Sequence, residues 1–343
     1  MFAAERVGGV GDRLVADIST ETGKLAAVTA FGGYRVAVLV PCYNEAVAVA
    51  QVVRDFAAAL PQATVFVYDN NSTDDTVSVA RAAGAEVFRE TRQGKGFVVR
   101  RMFTDIEADI YVLVDGDATY DAPSAPRMIA RLIEDRCDMV VGIRVDQTVA
   151  AYRAGHRTGN RLLTGFVANV FGRSFTDMLS GYRVFSRRFV KSFPLLSAGF
   201  EIETELTIHA LELGLAVAEI ETPYYARPEG SESKLSTWSD GFRILWTIIQ
   251  LYRSERPMRF FGAFALAFGV AALGFAVPVF ITYAETGLVP RLPTAVLSTG
   301  LMLAACLSFA VGLILDTVSR GRREMKLLAY LSHRAPGAEK RSS

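Results

Sequence analysis

Two carboxylates one residue apart, Asp115 and Asp117, follow the apolar run Tyr111-Val112-Leu113-Val114, with only Gly116 between them. Such a run reads as a buried strand. In open α/β sheets, ligands bind beyond the carboxyl ends of the strands. Paired carboxylates there suit a hard cation, because Mg²⁺ is usually held by one or two of them and keeps sites for phosphate oxygens. Asp-Gly-Asp is also ordinary turn chemistry, so a metal–diphosphate reading depends on what accompanies it. Arg92-Gln93-Gly94-Lys95-Gly96 sets two cations beside two glycines ahead of a helical pattern. That combination lets backbone N–H groups and a helix N-terminus face an anion. A second cationic cluster, Arg144, Arg153, His156 and Arg157, comes later in the chain, and guanidinium groups fork phosphate well. Asp69 closes another strand-like run, where a carboxylate can accept from a ribose hydroxyl or a base N–H.

The elements that must position these residues alternate from Arg35 onward. Strands are expected over Arg35–Val40 (stopped by Pro41), Thr64–Tyr68, Ala85–Phe88, Ile110–Val114, Met139–Gly142 and Val217–Ile220. A helix capped by Asn44, with Val47, Val49, Val52, Val53 and Phe56 on its packed side, should end at Pro61. Further helices are expected through Gly84, over Lys95–Ile106 and Ser124–Glu134, near Gly159–Phe171, and from Phe200 to Gly214. Strands spaced by helices mean crossover connections: an α/β chain with a mostly parallel sheet and helices on both faces. Trp238–Tyr252 carries its apolar residues at spacings of three and four with Arg243 and Arg253 on the flanks, a pattern suited to a helix lying in a membrane interface.

Composition narrows the classes. The formal net charge of +1 gives no electrostatic case for nucleic acid. Cys42, Cys137 and Cys306 lack disulfide or zinc-ligand spacing and suit a reducing compartment. No Gly-x-Gly-x-x-Gly follows the first strand and no Gly-Lys-Ser/Thr occurs, so dinucleotide and P-loop readings have no support. Phe260–Tyr283 and Leu292–Leu315 contain no charge, and each is long enough to cross a bilayer, which takes about 20 helical residues. Arg253, Arg256 and Arg259 precede the pair; Arg320, Arg322, Arg323 and Lys326 follow it; the link holds only Glu285 and Arg291. This bias places the preceding domain and the C-terminus in the cytoplasm, in a multi-pass inner-membrane protein. The N-terminal stretch has no apolar h-region, so no signal peptide is expected.

Six segments occur in a telling order: VPCYNE (40–45), DNNSTDDT (69–76), RQGKG (92–96), VDGD (114–117), DMLSGYR (177–183) and ARPEGSESKLS (226–236). Together they resemble the inverting glycosyltransferase family 2, which has the GT-A fold. More narrowly, they resemble the polyprenyl-phosphate glycosyltransferases related to dolichol-phosphate mannose synthase. The resemblance implies that Pro41, Tyr43, Glu45 and Asp69 hold a donor nucleotide, with Lys95 nearby. Asp115 and Asp117 would bind Mg²⁺ or Mn²⁺ and the donor diphosphate, and Arg227, Ser233 and Lys234 would belong to a loop near donor and membrane. Arg144 and the basic segment after it would receive the phosphate of an undecaprenyl or dolichyl acceptor. Many relatives carry a further basic residue where Thr158 precedes Gly159, so the acceptor-phosphate cation falls to Arg153, His156 or Arg157. The Gln-x-x-Arg-Trp signature of processive synthases is absent, which implies addition of a single sugar. Relatives form tetramers, so a homo-oligomer is expected. Two alternatives stay open: transfer to a hydroxyl with Asp177 as base, and a catalytically silent membrane assembly subunit. The expected organisation is a weakly ordered segment (1–33), a GT-A domain (34–236), the amphipathic interfacial helix (237–258), a two-helix transmembrane hairpin (259–317) and a basic cytoplasmic tail (318–343).

Overall fold

The structure is a computed structural model that describes residues 33–146, 175–194, 202–230 and 256–336, with a few further positions between 199 and 254. The expected weakly ordered N-terminal segment up to residue 32, the helix near Gly159–Phe171 and most of the amphipathic stretch Trp238–Tyr252 lie outside the described residues. Two compact units are present. The first is built on seven strands: β1 (Val36–Cys42), β2 (Thr64–Asp69), β3 (Glu86–Arg89), β4 (Ile110–Leu113), β5 (Met139–Asp146), β6 (Arg183–Ser186) and β7 (Val217–Tyr224). Their order in the sheet is β3-β2-β1-β4-β6-β5-β7. Every neighbouring pair is parallel except the two that involve β6, which runs against both β4 and β5.

Helices α1 (Val49–Ala59), α2 (Thr76–Ala82), α3 (Lys95–Asp105), α4 (Ala125–Glu134), α5 (Arg187–Ser192) and α6 (Ile202–Leu213) complete this unit. The central strands are buried on both faces, which is why β1 and β4 read as continuous apolar runs rather than alternating ones. Val36, Val38 and Val40 of β1 pack with Val49, Val52, Val53 and Phe56 of α1 and with Met128, Ile129 and Leu132 of α4. On the other side, Phe103 of α3 meets Tyr111 and Phe185, and Phe185 stacks on Phe189 of α5.

Three details differ from expectation. First, β1 continues through Pro41 to Cys42, in register with Tyr68 and Asp69. Leu39 O accepts from Val114 N, so alternate residues of β1 turn toward β4. Pro41 is one of them, but β4 has already ended at Leu113, and its missing N–H leaves no ladder bond open. Second, Asn44 does not cap α1. It sits at φ 52°, its N–H donates to Ser72 Oγ and its Oδ1 accepts from Thr73 N. The side chain that would have started the helix instead ties the loop after β1 to the loop after β2. Val47 consequently stays exposed, ahead of the packed face. Third, β6 and α5 were not anticipated, because a four-residue strand beginning with Arg183 and followed by Arg187-Arg188 has the polarity of a loop.

The second unit contains α7 (Pro257–Thr286) and all but the last two residues of α8 (Leu292–Leu331). Both are long and apolar enough to cross a membrane. Gly287, at φ 70°, closes α7 by donating its N–H to Tyr283 O. Gly312 of α8 lies so close to α7 that a Cβ there would stand 3.1 Å from Phe261 Cβ.

Candidate active site

The site begins where the loops after β1 and β2 leave the sheet. Asp69, the last residue of β2, is buried and accepts from Ser72 N–H through both oxygens, at 3.2 and 3.3 Å. The Glu45 N–H donates to Thr76 Oγ1 at 2.8 Å. Tyr43 stands out from the surface beside them. Asn70, to which the sequence reading gave no role, joins this corner to the glycine-rich segment. Its Nδ2 donates to the carbonyls of Glu90 and Arg92, and its Oδ1 accepts from Gly94 N–H at 2.7 Å. Gly94 has φ 135°, a conformation that L side chains rarely adopt. Arg92, expected to face an anion, is turned to Glu90 (Nε–Oε1 3.1 Å) and lies over the Phe97 ring. Those contacts hold the Glu90 carboxyl below its ordinary range, chiefly through the Arg92 hydrogen bond.

Gly94 starts α3, and the first residue of that helix is Lys95. Its ammonium lies 2.5 Å from Asp115 Oδ1 and 2.5 Å from Glu203 Oε1, with only a tenth of the side chain exposed. Burial alone would lower the Lys95 pKa, but the two carboxylates more than offset it and keep the group charged. Asp117 is buried, accepts from Thr119 N–H and Oγ1, and pairs with Arg227 Nη2 at 2.6 Å. Arg227 comes to it from the far edge of the sheet. After β7, Tyr225 N–H donates to Thr119 O and Tyr224 bridges to Tyr120. Burial and then the neighbouring Asp115 push the Asp117 carboxyl up, against the pull of Arg227 and Thr119.

Glycines hold this pair in place. A Cβ on Gly116 would stand 2.6 Å from Cys42 Sγ, and one on Gly181 would stand 2.5 Å from Asp115 Oδ2. The Gly181 N–H in turn donates to the hydroxyl of buried Tyr120 at 2.9 Å. Beneath Gly181 lies Arg183, fully buried. Its Nε donates to Ser180 O (2.9 Å), its Nη2 to Met178 O (2.5 Å) and its Nη1 to Thr207 Oγ1 (2.9 Å). Burial brings its pKa down to about 10. A lysine has no planar fork to serve those acceptors together, and leaving one of them open costs about 1–3 kcal/mol. Arg183→Lys is therefore expected to lower the unfolding temperature by several degrees; an unchanged melting curve would mean that the 178–183 segment is held by other contacts.

Arg144 and Asp177, assigned to different tasks from the sequence, form one bidentate pair, with Nε–Oδ2 at 2.7 Å and Nη2–Oδ1 at 2.8 Å. The guanidinium also lies 5.6 Å from the Tyr224 ring centroid. Arg153, His156, Arg157, Ser233 and Lys234 lie outside the described residues. The structure therefore gathers Asp69, Lys95, Asp115, Asp117, Arg227 and the Arg144–Asp177 pair at the carboxyl end of the sheet, and adds Asn70, Gly181, Arg183 and Glu203 to them.

Among the described residues no group of three or more His, Cys, Asp or Glu is assembled for a metal. The donors on offer are the two carboxylates of Asp115 and Asp117. This suits an ion such as Mg²⁺, which takes oxygen ligands and fills its remaining positions with water and phosphate. Burial and then the Asp115 charge raise Asp117, and a divalent cation held by these residues would offset both.

The fold is that of the GT-A glycosyltransferases. Glucosyl-3-phosphoglycerate synthase from Mycobacterium tuberculosis, solved with Mn²⁺, UDP-glucose and phosphoglyceric acid, superposes with a TM-score of 0.55 at 23% identity, covering 65% of this chain and 82% of that one. The family model for glycosyl transferase family 2 matches residues 37–193. The glycosyltransferase AglJ of Haloferax volcanii is 33% identical over 299 residues, 86% of this chain and 98% of its own length. A dolichyl-phosphate hexose transferase of the same organism is 27% identical over 220 residues, 64% of this chain and 95% of its own length. The chain belongs to glycosyl transferase family 2.

Proposed function

We propose that this glycosyltransferase moves one sugar from a nucleotide-diphosphate donor to a polyprenyl phosphate at the cytoplasmic face of a membrane, with inversion at the anomeric carbon. The observation that carries the proposal is the alternation of two carboxylates with two cations, Asp115–Lys95 and Asp117–Arg227, at the end of β4. Asp115 and Asp117 would hold Mg²⁺ or Mn²⁺, which when bound stabilises negative charge on a leaving diphosphate. With their carboxylates so engaged, the Lys95 and Arg227 cations would lie beside the phosphate oxygens and stabilise the same charge. Pro41, Tyr43, Glu45 and Asp69 would line the nucleoside side, and Ser233 and Lys234 would belong to a loop near the donor and the membrane surface.

Arg144, Arg153, His156 and Arg157 would receive the acceptor phosphate. A phosphate monoester has a second pKa near 6 and is largely dianionic at neutral pH, so it attacks without a general base and needs positioning instead. Arg144 engages both oxygens of Asp177, which makes that carboxylate a poor base for a hydroxyl acceptor and weighs toward phosphate. The two apolar helices that follow the catalytic unit suit a lipid acceptor and a bilayer, and the name of the Haloferax dolichyl-phosphate hexose transferase points the same way. A homo-oligomer packed through those helices completes the reading.

The test incubates the full-length protein with undecaprenyl phosphate, Mg²⁺ or Mn²⁺ and a panel of radiolabelled nucleotide sugars, and counts chloroform-extractable label with and without EDTA. EDTA-sensitive labelling of the lipid is expected; nucleotide release without lipid labelling would move the acceptor to a hydroxyl. Charge-assisted hydrogen bonds contribute about 1.5–3 kcal/mol each. Replacing Arg153 and Arg157 together by Ala should thus raise the half-saturating lipid concentration at least about tenfold and leave that of the donor unchanged. A fall in donor affinity instead would show that the cluster serves the donor.

A further inference from the structure

Glu203 lies outside the six segments of the sequence analysis and has no role in the reading above, yet its carboxylate is one of two that share the Lys95 ammonium, both at 2.5 Å. It is buried, with 7% of its side chain exposed, in the first turn of α6. A carboxylate is favoured at that end of a helix. Its own backbone is tied down, since Glu203 O accepts from Thr207 Oγ1, the hydroxyl that also accepts from Arg183. Glu203 is thus a second buried anion held against Lys95, separate from Asp115.

We propose that Glu203 is a positioning residue that retains Lys95 in the site when Asp115 is taken up by a divalent cation. The inference rests on the metal assignment made above. A cation arriving at Asp115 competes with Lys95 for the same carboxylate. If Asp115 were the sole counter-ion, its loss would leave a buried ammonium without an anionic partner, an arrangement that costs far more than losing one of two. With Glu203 in place, Lys95 keeps an anionic hydrogen-bond partner and stays beside the diphosphate position. Glu203 therefore lowers the penalty of metal entry and holds the cation that the leaving group needs, without touching either.

Mn²⁺ binding to the full-length protein, read from loss of the free-ion electron paramagnetic resonance signal, tests this without reference to activity. Glu203→Gln keeps the shape and removes the charge. It is expected to weaken Mn²⁺ binding about tenfold or more, and adding Lys95→Gln should restore binding to near the parent value. Parent-like binding by Glu203→Gln overturns the inference, and so does a double variant that binds as weakly as the single one. If Glu203→Gln fails to fold, as judged by thermal melting, Glu203→Asp, which shortens the carboxylate's reach to Lys95, takes its place: weakened Mn²⁺ binding that Lys95→Gln restores supports the role, and parent-like binding overturns it. Asp117→Asn separates this from the metal assignment. If that variant binds Mn²⁺ like the parent, the metal site itself is wrong; if only Glu203→Gln is silent, the metal site stands and Glu203 is structural.

Discussion

Asp117→Asn is expected to abolish sugar transfer, by at least about a hundredfold, while the protein melts within a degree or two of the parent. The amide keeps an oxygen for Thr119 N–H and Oγ1, so the loop after β4 retains its bonds. Removing one of two neighbouring negative charges also relieves the repulsion that raises the Asp117 carboxyl. What the amide cannot supply is an anionic oxygen for a divalent cation, and its NH₂ turns a donor toward Arg227, which loses its partner at 2.6 Å. The measurement pairs lipid-extractable label with a melting curve. Retained transfer in a folded variant would refute the assignment of Asp117 to the metal.

Adding a methyl group to Gly181 should damage the reaction nearly as much without removing any functional group. A Cβ at that position stands 2.5 Å from Oδ2, 3.0 Å from Cγ and 3.1 Å from Oδ1 of Asp115. The carboxylate has to move, and it is already held on another side by Lys95. Displacing a reacting or metal-holding group by about 1 Å can cost on the order of a hundredfold in rate. Gly181→Ala is therefore expected to lower transfer tenfold to a hundredfold by that principle, to raise the metal concentration needed for half-maximal activity, and to leave stability little changed. Gly116→Ala is the contrast, because the obstacle there is Cys42 Sγ in the buried core, at 2.6 Å. It should lower the unfolding temperature as well as the activity. A parent-like rate in Gly181→Ala would mean that Asp115 does not act from the position described.

The parallel part of the sheet was legible because β1 and β4 are buried on both faces and β2 over most of its length, so their sequences are largely apolar and bounded by turn residues. The reversed strand was not, because Arg183 is a charge inside a four-residue strand, and a sequence does not reveal that carbonyls of its own loop will satisfy it. The site divides in the same way. Asp69, Asp115 and Asp117 announce themselves as carboxylates at strand ends. Glu203 does not, since an acidic residue early in a helix is ordinary capping chemistry, and its partner is 108 residues away. Asn70 looked like one more polar loop residue among Asn70-Asn71-Ser72, and only the three bonds to the 90–94 segment single it out. Asn44 misled because a helix cap and a loop-to-loop tie draw on the same short polar side chain.

The place of β6 in the sheet has a consequence for how the protein comes to exist. It is made after β4 and β5 yet sits between them. During synthesis, then, both neighbours emerge with a whole edge of unpaired N–H and C=O groups, on apolar residues that are buried in the finished sheet, Ile110–Leu113 of β4 and Met139–Val141 of β5. Such edges are templates for pairing with other chains. The shortest length of polypeptide that can join β4 to β5 runs through Ser186, so the two carboxylates after β4 spend the early life of the chain on an unfinished border. Aggregation in that interval, rather than instability of the finished enzyme, is the hazard that the topology builds in.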